Sequence, residues 1–176
     1  MAAAELPEGL TPERHVVFPR VDAGAWARRF LLAIFAVIVA LALANVFGQE
    51  DSNTTVAAPA ATLTVRAPDR LRGGLIYQTE FTVVAHRPLE RVHLVLSAGW
   101  IDGLTLNTLE PNPGQEGSRD GRLSLSYGTL DPGERLQVFA DWQVNPVTVD
   151  RRDVYADVYD GGELLARVHR KLTILP

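Results

Sequence analysis

The sequence predicts a mainly β chain: an antiparallel sandwich of seven or eight strands, preceded by one transmembrane α-helix. Three observations predict it. Phe30 to Phe47 is an apolar run with no charged residue, and Asn45 is its one polar residue. From Ala61 onward hydrophobicity alternates with a period of two, the side-chain period of a strand. Gly, Pro, Asp and Asn cut that alternating region into short pieces, as strand-to-strand turns require.

The apolar run comes first. Its 18 residues span about 27 Å as a helix, close to the roughly 30 Å hydrocarbon core of a bilayer. A buried soluble helix is rarely apolar on every face for five turns. Arg20, Arg28 and Arg29 precede the run, with Trp26 as an interfacial anchor. Glu50 and Asp51 follow it, and no basic residue appears until Arg66. The positive-inside rule then places the N-terminus in the cytoplasm and the C-terminal domain outside. A cleaved signal peptide is the rival reading, because Ala42-Leu43-Ala44 fits a small-x-small cleavage pattern. The 29-residue leader and the length of the run favour an uncleaved anchor. The expected organisation is a mostly disordered cytoplasmic tail over 1–29, a lipid-spanning helix over 30–48, a flexible linker over 49–60 and an extracytoplasmic domain over 61–176.

The strands follow in order. Leu63 and Val65 alternate with Thr62, Thr64 and Arg66 in a first strand, and Arg72-Gly73-Gly74 turns the chain. Leu75–Ala85 is a long second strand with Tyr77, Thr79, Phe81 and Val83 on one side. Val92 and Leu94 lie in a third, Arg91–Ser97, and Leu104–Thr108 is a short fourth. Asn112–Gly121 is polar and rich in glycine, and reads as loop. Leu123, Leu125 and Tyr127 alternate in a fifth strand. Asp131-Pro132-Gly133-Glu134 is a turn, because proline presets φ and glycine supplies freedom. Leu136, Val138, Ala140, Trp142 and Val144 line one face of a sixth, with Trp142 in the core. Val154, Ala156 and Val158 mark a seventh, and the Asp160-Gly161-Gly162 hairpin leads to an eighth. There Leu164, Ala166, Val168, Leu172 and Ile174 share parity. Such a run of strands with no helical period is that of an immunoglobulin-like sandwich, here without the cysteine pair of antibody domains.

Some phrases resemble known families. The Asp131-Pro132-Gly133-Glu134 turn before a long strand is similar to turns in immunoglobulin-like repeats of bacterial surfaces. The whole chain resembles a family of single-pass membrane proteins of high-GC Gram-positive bacteria that carries no assigned activity. The matching stretches are 67–75, Gly99-Trp100, 104–108, Glu110-Pro111 and 143–146. The resemblance implies the architecture and no site residues. A base count of 16 arginines to the single Lys171 agrees with a GC-rich genome.

Composition narrows the chemistry. With no cysteine there is no disulfide, thiolate metal site or cysteine nucleophile. The net charge of −4 gives no support for nucleic-acid binding. The histidines lack metal-site spacing. Asp153, Asp157 and Asp160 lack the Asp-x-Asp-x-Asp-Gly form of a calcium loop, and read as a solvated strand face with a turn aspartate. No nucleophile elbow or phosphate-binding loop is present. No cofactor, metal or catalytic residue is expected.

The expectation is therefore a non-enzymatic, membrane-anchored interaction module that binds another membrane or envelope protein. A cell-wall polymer-binding module is the alternative, and a membrane-anchored hydrolase a weaker one. The candidate contact residues are Trp100 and Asp102 in the stretch SAGWIDG, and Arg151 and Arg152 in the locally neutral cluster Asp150–Asp153. Trp100 has two readings, a cap on the core or an exposed contact.

Overall fold

The computed structural model of the chain describes residues 21–44, 46, 49–119 and 121–176. The chain divides into two units, Met1–Phe47 and Gly48–Pro176.

The first unit holds one helix, α1 (Val21–Leu43). It begins before the expected 30–48 segment because Ala23, Ala25 and Ala27 propagate the helical ladder, whatever the polarity of their neighbours. Its stretch Gly24–Leu43 is long and apolar enough to cross a membrane, and fits either a single-pass anchor or a signal sequence. The Arg29 guanidinium sits 5.6 Å from the centre of the Trp26 ring. Of the expected tail over 1–29, residues 1–20 lie outside the described residues.

The second unit is an immunoglobulin-like sandwich. Its strands in chain order are β1 (Asp51–Ala57), β2 (Ala61–Pro68), β3 (Arg70–Arg72), β4 (Ile76–Ala85), β5 (Leu89–Leu96), β6 (Leu104–Glu110), β7 (Gln115–Arg119), β8 (Arg122–Leu130), β9 (Arg135–Val144), β10 (Asp150–Asp160) and β11 (Glu163–Leu175). One sheet has five strands in the order β1-β2-β4-β9-β6, and the other six in the order β3-β11-β10-β5-β8-β7. The pairings are antiparallel except β3 on β11.

Eleven strands stand where the sequence predicts seven or eight. The additional ones, β1, β3 and β7, lie at sheet edges. β1 occupies the expected linker, and β7 the expected loop. Neither shows hydrophobic alternation, because an edge strand is ordered by its ladder hydrogen bonds and buries few apolar side chains.

The core is apolar and its inward positions follow the period of two. Leu63, Val65, Phe81 and Val83 of one sheet meet Leu94, Leu96, Leu125 and Val168 of the other. Val138, Ala140, Trp142 and Val144 are buried as their alternation predicts. Leu164 is exposed, against its parity, because the ladder shifts register between Val158 and Tyr159 and Leu164 falls opposite Tyr159.

One inward position on β11 is charged. Arg170 lies between Val168 and Leu172 in the core-facing series and is 5% exposed. Its guanidinium crosses to the other sheet. Nη1 donates to the Ser52 carbonyl at 2.8 Å, the Val65 carbonyl at 3.0 Å and Thr54 Oγ1 at 3.3 Å. Nη2 donates to Ala67 O and Asp69 Oδ1, both at 2.6 Å, and to Ser52 Oγ at 2.8 Å. One side chain thus joins β11 to β1, β2 and the β2–β3 corner.

The Arg170 contacts and two buried tyrosines each have a measurable consequence. Arg170→Met leaves the buried Val65 and Ala67 carbonyls without their donor and loosens the β1 edge; the domain loses about 2–4 kcal/mol, at roughly 1–3 kcal/mol for each stranded buried acceptor, read as a lower urea midpoint. The second concerns alkaline pH. Burial pushes the Tyr127 phenol up to about 12, and the Glu116 charge adds to the shift. Burial also raises Tyr77, partly offset by the Arg152 charge. A raised folded-state pKa gives stability that is complete below the unfolded value near 10 and is lost as pH climbs toward about 12. Stability therefore declines across that alkaline window, and Tyr127→Phe flattens the decline in base titrations.

Candidate functional site

The outer face of the six-stranded sheet carries polar and aromatic side chains set in register by its strands. β10 alternates: Val154, Ala156 and Val158 face the core, so Asp153, Tyr155, Asp157 and Tyr159 face outward. The pairing register arranges them in cross-strand rows. Tyr155 lies opposite His169, and Asp157 opposite both Arg167 and Val95. Val95 lies opposite Ser124, and Ser124 opposite Gly117. Tyr159 lies opposite His93.

The rows interact. Both Asp157 oxygens accept from Arg167, Oδ1 from Nε and Oδ2 from Nη2, each at 2.7 Å. Those bonds and the Asp157 charge raise Arg167 above its ordinary pKa. The Arg167 guanidinium sits 5.7 Å from the Tyr155 ring centre, and the His169 ring stacks on Tyr155 at 4.8 Å. His169 Nε2 pairs with Asp153 Oδ1 at 2.7 Å. Asp160 caps the bulge in β5, where its Oδ1 accepts from the Glu90 and Arg91 amides at 3.0 and 2.9 Å. The three aspartates therefore have separate partners. Asp157 is buried under Arg167, which corrects the expectation of a solvated face.

Beside these rows an open groove of about 680 Å3 runs over small residues. Ser124, Gly117, Ser118, Gly161 and Gly162 leave its floor low, and His93, Arg122 and Tyr159 rise around it. A smaller depression between Arg122, Tyr155 and Arg167 continues it. Among the described residues, no group of three or more His, Asp or Glu side chains could hold a metal ion.

The residues singled out from sequence fall elsewhere. Trp100 is 1% exposed. It sits on a 3-10 turn, Ala98–Trp100, that tucks into the core. Its ring packs edge-on to Phe81 at 5.6 Å and tilted to Trp142 at 6.3 Å, and its Nε1 donates to the Tyr155 carbonyl at 3.2 Å. Gly99 is required there, because a Cβ would lie 2.8 Å from Val154 Cγ1. Trp100 is thus a core residue and cannot serve as a contact. The Arg152 side chain turns inward and is 13% exposed, with Nε 3.7 Å from Asp150. Asp102 and Arg151 are exposed, and neither lines the groove.

The sequence does not single out His93, Arg122 and Tyr159 of the groove, or Tyr155 and Arg167 of the depression beside it. A signal for two of them exists in the sequence, since Tyr155 and Tyr159 occupy the polar parity of β10, where aromatics are out of place on a purely solvated face.

No family model matches the chain, and no curated protein matches it. Solved structures to which it is similar include a CARDB domain from Pyrococcus furiosus, at TM-score 0.44 and 12% identity over 68% of this chain and 98% of that one. A non-cellulosomal cohesin from Archaeoglobus fulgidus gives 0.41 and 12% over 71% and 92%. The reeler domain of human F-spondin gives 0.41 and 14% over 62% and 83%.

The burial of Trp100 predicts a clear separation among variants. Trp100→Ala costs about 3–5 kcal/mol of stability, whereas Asp102→Ala and Arg151→Ala stay within about 0.5 kcal/mol. Urea unfolding of the three variants measures the difference.

Proposed function

We propose that the chain is a membrane-tethered, non-enzymatic interaction module, an accessory subunit whose outer domain engages another membrane or envelope protein. The observation that carries this reading is the groove on the six-stranded sheet, where Tyr159, His93 and Arg122 stand around a floor of serine and glycine. Tyrosine and arginine are the types enriched at the energetic centres of protein interfaces. Arg167 is held rigid by its two bonds to Asp157, so ordering it on binding costs little further side-chain entropy.

The apolar helix supports the tether. Confinement to a membrane raises the effective concentration of two partners, so a face of modest size suffices. In this reading the helix spans the bilayer, the N-terminus is cytoplasmic and the sandwich is extracytoplasmic, as the arginines before the apolar run and the acids after it imply.

The polymer-binding alternative loses its sequence basis. Binding a sugar polymer calls for an exposed aromatic to stack on the rings, and the tryptophan available for it, Trp100, is inside the core. Tyr155 is already stacked by His169.

Purification of the tagged full chain from membranes in mild detergent tests the reading. One stoichiometric membrane or envelope protein is expected to be retained. Arg122→Glu combined with Tyr159→Ala weakens that retention by about thirtyfold or more, the scale of one central contact, while Gln137→Ala on the opposite sheet leaves it unchanged. Retention of no protein overturns the reading, and retention of the chain on isolated wall material instead revives the polymer alternative.

A further inference from the structure

A second surface stands apart from the groove, at one end of the sandwich. Four large apolar side chains are exposed there. Val147 is 85% exposed, Ile76 62%, Val149 61% and Leu75 46%. The ladder brings the two segments together: Ile76 pairs with Gln143, and the Val144 amide donates to the Leu75 carbonyl at 2.9 Å. The loop after β9 presents its valines by construction. Thr148 is turned toward the body, with its amide on the Asn145 carbonyl at 3.0 Å and its side chain against Gly103. Gly103 has φ +66, and a Cβ there would lie 2.5 Å from Thr148 Oγ1, so only glycine admits this contact. With Thr148 held, Val147 and Val149 on either side project away from the domain.

This end is also where the chain enters the sandwich. Asp51, the first residue of β1, pairs with Pro68, which precedes β3 and the Leu75–Ile76 turn. Residues 44–50 join Asp51 to Leu43, the last residue of the apolar helix. Seven residues reach at most about 25 Å. The charges at this end are largely matched. Asp69 is paired with Arg170, Asp51 with Arg66 and Asp150 with Arg152, while Arg70, Arg72 and Arg151 are exposed alongside Glu50 and Asp102.

We infer that this apolar tip, formed by Leu75, Ile76, Val147 and Val149, rests in the interfacial layer of a lipid bilayer. Large apolar residues exposed together mark an interaction surface, and the occupant follows from the tether. A connection of at most about 25 Å to a membrane-spanning helix keeps lipid within reach of this end. Apolar loop residues partition into the headgroup and acyl boundary, and with most charges matched the attachment is chiefly apolar and depends little on salt. The tip fixes the orientation of the domain and leaves the groove, on the face of one sheet, open to a partner. The inference rests on the helix being an uncleaved anchor.

The absence of cysteine makes the test direct. Single cysteines replace Val147 at the tip, Asp131 in the turn at the opposite end and Val37 in the helix, each in the full chain. Each carries a nitroxide label, and the proteins are reconstituted in nanodiscs of phosphatidylglycerol and phosphatidylcholine. Accessibility to oxygen, which concentrates in lipid, is compared with accessibility to a water-soluble nickel chelate. Labels at 37 and 147 are expected to favour oxygen and the label at 131 the chelate, with the value at 147 unchanged by high salt. A lipid-embedded 37 with a 147 as aqueous as 131 overturns the inference and leaves the anchor intact. An aqueous 37 overturns the anchor and the inference with it. Dipolar coupling between 147 labels of two chains shows a second copy on the tip, and also overturns it.

Discussion

A buried guanidinium is the constraint on which the sandwich depends. Arg170 projects from β11 into the space between the sheets and donates to acceptors on β1, β2 and the corner after β2. An unpaired charge there would be prohibitive. The chain meets that demand by bringing Ser52, Val65, Ala67 and Asp69 to one point, with Ser52 Oγ donating to Asp69 Oδ2 at 2.7 Å as well. The consequence is specificity of register. Shifting β1 or β2 by one residue would turn the Ser52 side chain to the opposite face and carry the Val65 and Ala67 carbonyls away from the guanidinium, so a single side chain fixes how the first strands meet the last.

The outer face of the six-stranded sheet follows from the same alternation that builds the core. Each strand that sends valine, alanine or leucine inward must send the intervening residues out. On β10 these are aspartate and tyrosine, on β11 arginine and histidine, and on β8 serine. Register then decides what meets. Tyr155 is caught between His169 and Arg167, and Asp157 is sealed under Arg167. The serine and glycine rows opposite have nothing tall enough to fill the space above them, and a groove results. The core and this face are also connected, because the Tyr155 carbonyl accepts from both the Ser97 amide and the Trp100 indole.

The stretch SAGWIDG shows where sequence reasoning succeeds and fails. Its glycines are legible as turn positions, and both prove necessary. Gly99 permits close approach of β10, and Gly103 permits the contact with Thr148. Trp100 between them is ambiguous in sequence, because a tryptophan on a turn at the end of a strand can fold over the core or stand clear of it. The backbone of the 3-10 turn and the space beside Phe81 and Trp142 resolve it. In sequence Arg152 stands out as a contact by its charge and its neighbours. The parity of β10 places it inward, in series with Val154 and Ala156. Arg170 is hidden in sequence for the converse reason: a charge in an apolar series looks like an interruption of the core when it is part of it.

The sequence by itself determined the apolar helix, the mainly β domain after it and the inward positions of the strands whose apolar residues alternate. These depend on periodicity, which is local and needs no partner to be visible. Tertiary structure alone decided the rest. The edge strands β1, β3 and β7 exist because a neighbouring ladder orders them. The groove exists because residues distant in the chain, such as His93, Arg122 and Tyr159, are set side by side by register. The apolar tip exists because Ile76 and the loop after β9 share one end of the sheet. A strand pattern says which way a side chain points, and only pairing with another strand says what it will meet.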